Sequence, residues 1–304
     1  MKNTLNSKLS DNPTLKELEK VYHLDDKQAD AIGKIIIETF TASVNPVENP
    51  VAIILGGQPG SGKSELITQA QAVIGKNGVI CNADDYRDYH PKSDEIKEKY
   101  EEFYPDVTVR YSQPWNNSLR AYCEQNRLNF ILETTFSSGE TMNETIRALK
   151  GKGYTVYLMV LSVNKRLSYL GTRLRFEGMK AQYGYGRSVA KDIHDSKYEQ
   201  VVTTLQTVQN AKLYDKLFIY GRAGRQKVKG MHNGLIMISE NGPAPVIDYI
   251  NEREKEWSDN DLRFFNDDVL YLIRLMVDRR ADYKDLKYVL DIFQVGHHEE
   301  KKEI

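Results

Sequence analysis

Eight consecutive residues, Gly57-Gln58-Pro59-Gly60-Ser61-Gly62-Lys63-Ser64, carry the spacing G-x-x-x-x-G-K-S that lets a chain wrap an anion in backbone amides. Gly60 and Gly62 allow the N–H groups to turn inward, Lys63 can reach the outer phosphates of a triphosphate, and the Ser64 hydroxyl can hold Mg²⁺. The apolar run at residues 51–55 reads as a buried strand, and residues 64–74 read as a helix whose positive N-terminal end adds to the anion site. A chance glycine-rich turn is the bland alternative, and the complete motif in strand–loop–helix context weighs against it. These residues therefore point to a bound nucleoside triphosphate.

Three further segments carry polar groups where phosphoryl chemistry needs them. In Asn82-Ala83-Asp84-Asp85, directly after a second apolar stretch, Asp84 or Asp85 could accept a proton from an attacking hydroxyl. Acidic residues at that place are also ordinary helix caps. Glu133-Thr134-Thr135-Phe136 ends a third stretch and could hold substrate polar groups or, through water, a metal; the structural alternative pairs Glu133 with an arginine. The segment from Tyr169 to Met179, followed by Gln182-Tyr183-Gly184-Tyr185-Gly186-Arg187, reads as a helix and a glycine-rich hinge. Such a lid could close Arg175 and Arg187 over a transferring phosphoryl group. A solvated basic helix face is the default for a lone arginine.

The elements that must position these residues alternate. Short apolar strands are expected near residues 51–55, 78–83, 129–133, 154–160 and 216–220, each between helical stretches. That order implies right-handed crossovers and an α/β fold with a P-loop kinase-type parallel sheet covered by helices on both faces. Ligands in such sheets gather beyond the carboxyl ends of the strands. Residues 1–44 read as a helical lead-in broken at Asp25-Asp26, residues 45–242 as the kinase-type domain, and residues 243–304 as a helical C-terminal extension. In the extension Leu262, Phe265, Val269, Ile273 and Met276 would share one helix face and pack on the core.

Composition narrows the class of partner. A formal charge of −1 over 304 residues argues against general nucleic-acid binding, which needs clustered Lys and Arg in excess. Two cysteines without a CxxC pair indicate neither a disulfide framework nor a zinc site. The polar N-terminus and the lack of any long apolar run fit a soluble, cytoplasmic protein with no membrane partner. The tail His297-His298-Glu299-Glu300-Lys301-Lys302 reads as a frayed terminus rather than a metal site.

Taken together, the phosphate loop, Asp84-x5-His90-Pro91, Glu133-Thr134-Thr135 and Tyr169-Leu170-Gly171-Thr172-x2-Arg175 resemble the zeta toxin family, kinases of bacterial toxin–antitoxin systems, over about residues 45–224. The resemblance implies an ATP- and Mg²⁺-dependent kinase for the 3′-hydroxyl of the amino sugar of UDP-N-acetylglucosamine or a related UDP-sugar, silenced by a small helical antitoxin. It implies Lys63 on the phosphates, Ser64 on the metal, Asp84 as general base, and Arg175 and Arg187 as the phosphate clamp. Glu133, Thr135, Thr145 and His90 are expected on the substrate. Asn117 stands where the family has a substrate-binding glutamate, and an amide carries no charge. That departure leaves open a P-loop kinase for another nucleotide, cofactor or polynucleotide hydroxyl. A nucleotide-dependent interaction protein, or C-terminal helices that inhibit in cis, also remain open.

Overall fold

The computed structural model describes residues 12–222 and 234–294. The six strands are β1 (Val51–Gly56), β2 (Val79–Cys81), β3 (Phe130–Glu133), β4 (Thr155–Leu161), β5 (Lys216–Arg222) and β6 (Leu235–Glu240), in spatial order β2-β3-β1-β4-β5-β6. β1 to β5 are parallel, and β1 lies between β3 and β4, with Ile54 opposite Leu132 on one side and Leu158 on the other. Being covered on both faces, these strands are continuous apolar runs: Ala52, Ile53, Ile54 and Leu55 are all fully buried. β6, which sequence pattern did not reveal, runs antiparallel to β5 along the sheet edge.

The helices among the described residues are α1 (Leu15–Val21), α2 (Asp26–Thr41), α3 (Lys63–Val73), α4 (Ser93–Lys99), α5 (Tyr104–Gln125), α6 (Gly139–Gly151), α7 (Lys165–Tyr183), α8 (Lys191–Ala211), α9 (Pro245–Glu254), α10 (Asp259–Asp278) and α11 (Tyr283–Gln294). The expected break at Asp25-Asp26 is a helix start, because Asp25 and Gln28 form a reciprocal capping box. α2 packs on the core through Ile36, and the Trp115 indole donates to Ala29 O at 2.8 Å. No helix among the described residues is long and apolar enough to cross a membrane, and the tail at 297–302 lies outside them.

A division at 242/243 does not match the packing. Val246 and Tyr249 of α9 belong to the main core, and the Ser162 hydroxyl donates to Tyr249 O at 2.7 Å. α10 and α11 form a separate cluster on α7, where Phe265, Leu272, Met276, Val289 and Phe293 cover Tyr169 and Leu170. Of the expected α10 face, Phe265 and Met276 are buried and Val269 and Ile273 half-buried, while Leu262 stands outside the cluster. Arg279 locks the arrangement by donating from Nη2 to Glu177 Oε1 at 2.9 Å and from Nε to the other oxygen.

If α9 is core, Tyr249→Ala should cost about 3–5 kcal/mol in urea unfolding, as for deletion of a buried aromatic. Leu270→Ala, at a residue of α10 that is 62% exposed, should stay within about 0.5 kcal/mol.

Candidate functional site

The phosphate loop leaves β1 at Gly56 and ends where α3 begins at Lys63. Gly60 (φ +73°) and Gly62 (φ +94°) occupy the left-handed region. Space makes the same demand: a Cβ on Gly60 would lie 2.0 Å from Ser168 O, and one on Gly171 2.4 Å from Gly60 O, so the loop rests directly on α7. Gln58 is buried; its Nε2 donates to Val163 O at 2.9 Å and its Oε1 accepts from the Tyr249 hydroxyl at 3.4 Å. The Gln58 side chain therefore braces the loop, leaving its backbone to face an anion. Lys63 Nζ folds back to donate to Gly57 O at 2.9 Å and Gln58 O at 3.3 Å. Burial lowers the Lys63 pKa against the opposing pull of Glu133, whose Oε1 lies 3.9 Å away. Glu133 thus has a lysine where sequence reasoning expected an arginine, and burial raises its own pKa despite Lys63.

Asp84 lies in a 3-10 helix, Ala83–Tyr89, whose cap is Asn82: its Oδ1 accepts from Asp84 N at 3.1 Å. The capping role expected of an aspartate falls to Asn82, which frees the Asp84 carboxylate for two guanidiniums. Arg87 Nε donates to Oδ1 at 2.8 Å, and Arg187 Nη1 lies 2.8 Å from Oδ2. Burial works to raise Asp84, but Arg187 and Arg87 outweigh it and hold the carboxyl below its ordinary value. Asp85 has the opposite fate: burial, then Glu133 and Asp84, push it up to about 6. Arg187 sits beyond the left-handed cap Gly184, on an arm tied down by Glu101, which accepts from Gly186 N at 2.5 Å and from Lys180.

A cavity of about 570 Å³ opens between these elements at the carboxyl end of the sheet. Lys63, Asp84, Glu133 and Arg175 line it, as do Thr135, Thr145 and Asn117. His90 does not: its ring is buried, and Nε2 lies 3.0 Å from Tyr22 O. Its expected substrate contact is corrected to a structural tie between the 3-10 helix and the segment after α1. Sequence reasoning missed the polar stripe Gln113, Asn116 and Arg120, which α5 turns into the cavity beside Asn117. Spacing of i, i+3, i+4 and i+7 was the available signal. Asn116 is buried, with its Oδ1 lacking a partner, so the cavity presents an acceptor that a ligand could satisfy.

A mostly parallel sheet with a glycine-rich anion loop after its central strand, resting on an arginine-bearing helix, defines a P-loop fold of the kinase type. The chain belongs to the zeta toxin family, whose model matches residues 37–231. It is 31% identical over 189 residues to Toxin zeta of Streptococcus agalactiae, covering 62% of this chain and 66% of that protein. Toxin PezT of Streptococcus pneumoniae serotype 4 is 27% identical over 187 residues, covering 61% of this chain and 74% of that one. Among solved structures, one from the PezAT chromosomal toxin–antitoxin system of Streptococcus pneumoniae shares the fold with a TM-score of 0.71, at 21% identity over 83% of this chain and 98% of that one. The AvrRxo1-ORF1:-ORF2 complex with ATP is a more distant match, with a TM-score of 0.51 and 14% identity over 91% of this chain and 83% of that one.

The two adjacent aspartates should separate on titration. With its folded pKa raised from 3.8 to about 6, Asp85 favours the folded state while protonated, and that contribution is lost as pH rises through about 6. The Tm difference between Asp85→Asn and the wild type should therefore move in the variant's favour from about pH 4 to about pH 7. A difference independent of pH would refute the assignment.

Proposed function

We propose that this protein is a Mg²⁺- and ATP-dependent kinase acting in the cytoplasm. It phosphorylates the 3′-hydroxyl of the amino sugar of UDP-N-acetylglucosamine or a related UDP-sugar, as the toxin of a toxin–antitoxin system. The observation that carries the reading is the convergence of Lys63, Asp84 and Arg175 on one cavity beside the phosphate loop. Family membership and the toxin names of its relatives support the biological role. A separate small helical antitoxin is the expected partner. Inhibition in cis has less support, because no residue of α10 or α11 lines this cavity.

Loop amides, Lys63 and the N-terminus of α3 bind the triphosphate, with Arg175 and Arg187 over the group in flight. Asp84, held ionised by its arginines, orients the acceptor hydroxyl and takes its proton late, as a loose transition state requires. Ser64, exposed on the first turn of α3, would hold Mg²⁺, which supplies neutralisation of phosphate charge when bound. Among the described residues no cluster of three acidic, His or Cys side chains could hold a metal. Such a site suits Mg²⁺, which takes most of its ligands from phosphates and water. The stripe from Gln113 to Arg120, with Thr135 and Thr145, offers the hydrogen-bonding groups that a sugar diphosphate needs. Because Asn117 is uncharged, a different acceptor alcohol is the second reading.

Labelled ATP incubated with a panel of UDP-sugars, with the phosphate located by NMR, tests the substrate; transfer to none of them would refute it. Asp84→Asn should lower kcat by about 10²–10⁴ and still bind ATP. Arg175→Ala should lower kcat by about 10³–10⁵, with a smaller effect on nucleotide affinity. Equal loss of both would mean that Arg175 only holds ATP.

A further inference from the structure

α7 and the start of α8 are joined by a buried polar chain that the chemistry above does not use. Ser168, in the first turn of α7, is fully buried, and its Oγ lies 2.9 Å from Nε2 of His194, in the first turn of α8. Nδ1 of the same ring lies 3.0 Å from Asp195 Oδ1. The other Asp195 oxygen pairs with Lys191 at 2.6 Å and with Lys165 at 3.4 Å. Tyr169 and Tyr198 flank the imidazole, with ring centroids 5.3 and 6.4 Å away.

The neighbours of the ring fix where its hydrogens go. Burial lowers the His194 pKa against the pull of Asp195, so the ring is neutral near pH 7. Its single proton belongs on Nδ1, where a carboxylate accepts it; Nε2 is then an acceptor and Ser168 the donor. Serine, histidine and aspartate in this order are the parts of a nucleophilic triad. A nucleophile needs a path for its substrate, and the Ser168 side chain, 0% exposed, has none. The chain is therefore a tie between two helices rather than a second reaction centre.

Both ends of the tie meet the candidate site. The Ser168 carbonyl is the atom on which Gly60 of the phosphate loop rests. On the other side, the arm that carries Arg187 ends at Ala190, whose carbonyl accepts from His194 N at 2.9 Å. α8 starts there with no capping side chain, and Lys191, Asp192 and Ile193 of its first turn are exposed whereas His194 is fully buried. Glu101 fixes the arm before Arg187, at Gly186, and His194 fixes it after. We propose that His194 is a positioning residue for phosphoryl transfer: through Ser168 it holds the Arg187 arm in register with the phosphate loop. The proposal rests on the kinase reading above and extends it to a residue that touches neither nucleotide nor acceptor.

His194→Phe keeps a flat ring between the two tyrosines, lets the Ser168 hydroxyl turn to Lys165 O, 3.1 Å away, and leaves Asp195 with its lysines. In phosphate transfer from ATP to the panel of UDP-sugars by the full chain, it should lower kcat by about 10–100-fold, the scale for a misplaced reacting group, with the calorimetric Kd for ATP unchanged. Ser168→Ala, which serves if the phenylalanine does not fold, should lose as much. His194→Gln, whose amide can accept from Ser168, should recover most of the loss. In an Arg187→Ala background His194→Phe should cost nothing further, because the tie acts through that arginine. Full activity in His194→Phe, or losses that multiply with Arg187→Ala, would overturn the proposal. Hydrogen exchange followed by mass spectrometry separates the tie from the kinase reading: segment 184–190 should exchange about tenfold faster in His194→Phe than in the wild type. Unchanged exchange there overturns the tie, whereas faster exchange with no phosphorylated sugar leaves the tie standing and sinks the kinase reading.

Discussion

The double grip on Asp84 is the contact on which the rest of the site depends. Its two guanidiniums arrive from different parts of the chain: Arg87 from the same 3-10 helix, anchored on Pro105 O and Thr108 Oγ1 of α5, and Arg187 from the arm beyond α7. Asp84 is more than a third exposed, so these pairs add little to global stability. Their effect is orientation and charge state. Under the kinase reading, a phosphoryl group arriving near Lys63 competes with Asp84 for Arg187 but not for Arg87, whose bonds to α5 keep it in place. Losing one of its two cations raises the proton affinity of Asp84 at the moment when a proton must be accepted.

Supporting packing explains why the grip holds its shape. Leu18 and Tyr22 of the N-terminal segment bury themselves with Ile96, Tyr104 and Val107, beneath the stretch that carries Asp84. Tyr104 and Lys97 both reach Asp88, and Lys97 also lies 4.8 Å from the Tyr185 ring on the Arg187 arm. Across the cavity, Phe136 adopts φ +50°, a rare value for a large side chain, and is fully packed against Gly56. Thr134 holds that turn by donating to Leu55 O at 3.0 Å and accepting from Phe136 N at 3.1 Å. The turn next to the phosphate loop is thus held by Thr134, which ties Phe136 to Leu55 of β1.

What was legible in the amino-acid sequence had a local signature. The five parallel strands are short apolar runs and the phosphate loop is a contiguous motif, whereas the helix start at Asp25 was read only as a break in the lead-in. Asp84 and Glu133 were singled out by their places at the carboxyl ends of β2 and β3, whereas Arg175 lies well inside α7 and was singled out by the glycine-rich hinge that follows the helix. β6 was not, since an edge strand with one face exposed alternates weakly, and Met237 on it is 50% exposed. His90 misled for the opposite reason: a histidine near Asp84 in sequence is turned away by the 3-10 helix, and its ring goes to Tyr22 O. The stripe on α5 was hidden by Pro114, which lies within the helix although its missing N–H usually argues for a boundary. Membership of α9 in the core depends on contacts such as those of Tyr249 with Gln58 and Ser162, far back in the chain, which no local pattern records.

The segments that carry Arg175 and Arg187 are both held by close backbone approaches. Gly171 lies against Gly60, and Arg175 follows it by four residues, one helical turn along the same face of α7. α7 is clamped from behind by the α10 and α11 cluster and by the pair of Glu177 with Arg279. Any shift of Arg175 relative to the loop would therefore have to break a backbone-to-backbone contact or expose a packed apolar surface. Arg187 follows an arm that also lies close on α7, since a Cβ on Gly186 would lie 2.5 Å from Phe176 O, and beyond Gly184 it is fastened by hydrogen bonds to Glu101 and an aromatic contact of Tyr185 with Tyr104, at a ring separation of 6.0 Å. Under the kinase reading both backbones are held on α7, and the difference lies in the side chains: Arg187 is engaged with Asp84 and is the one that would change partners.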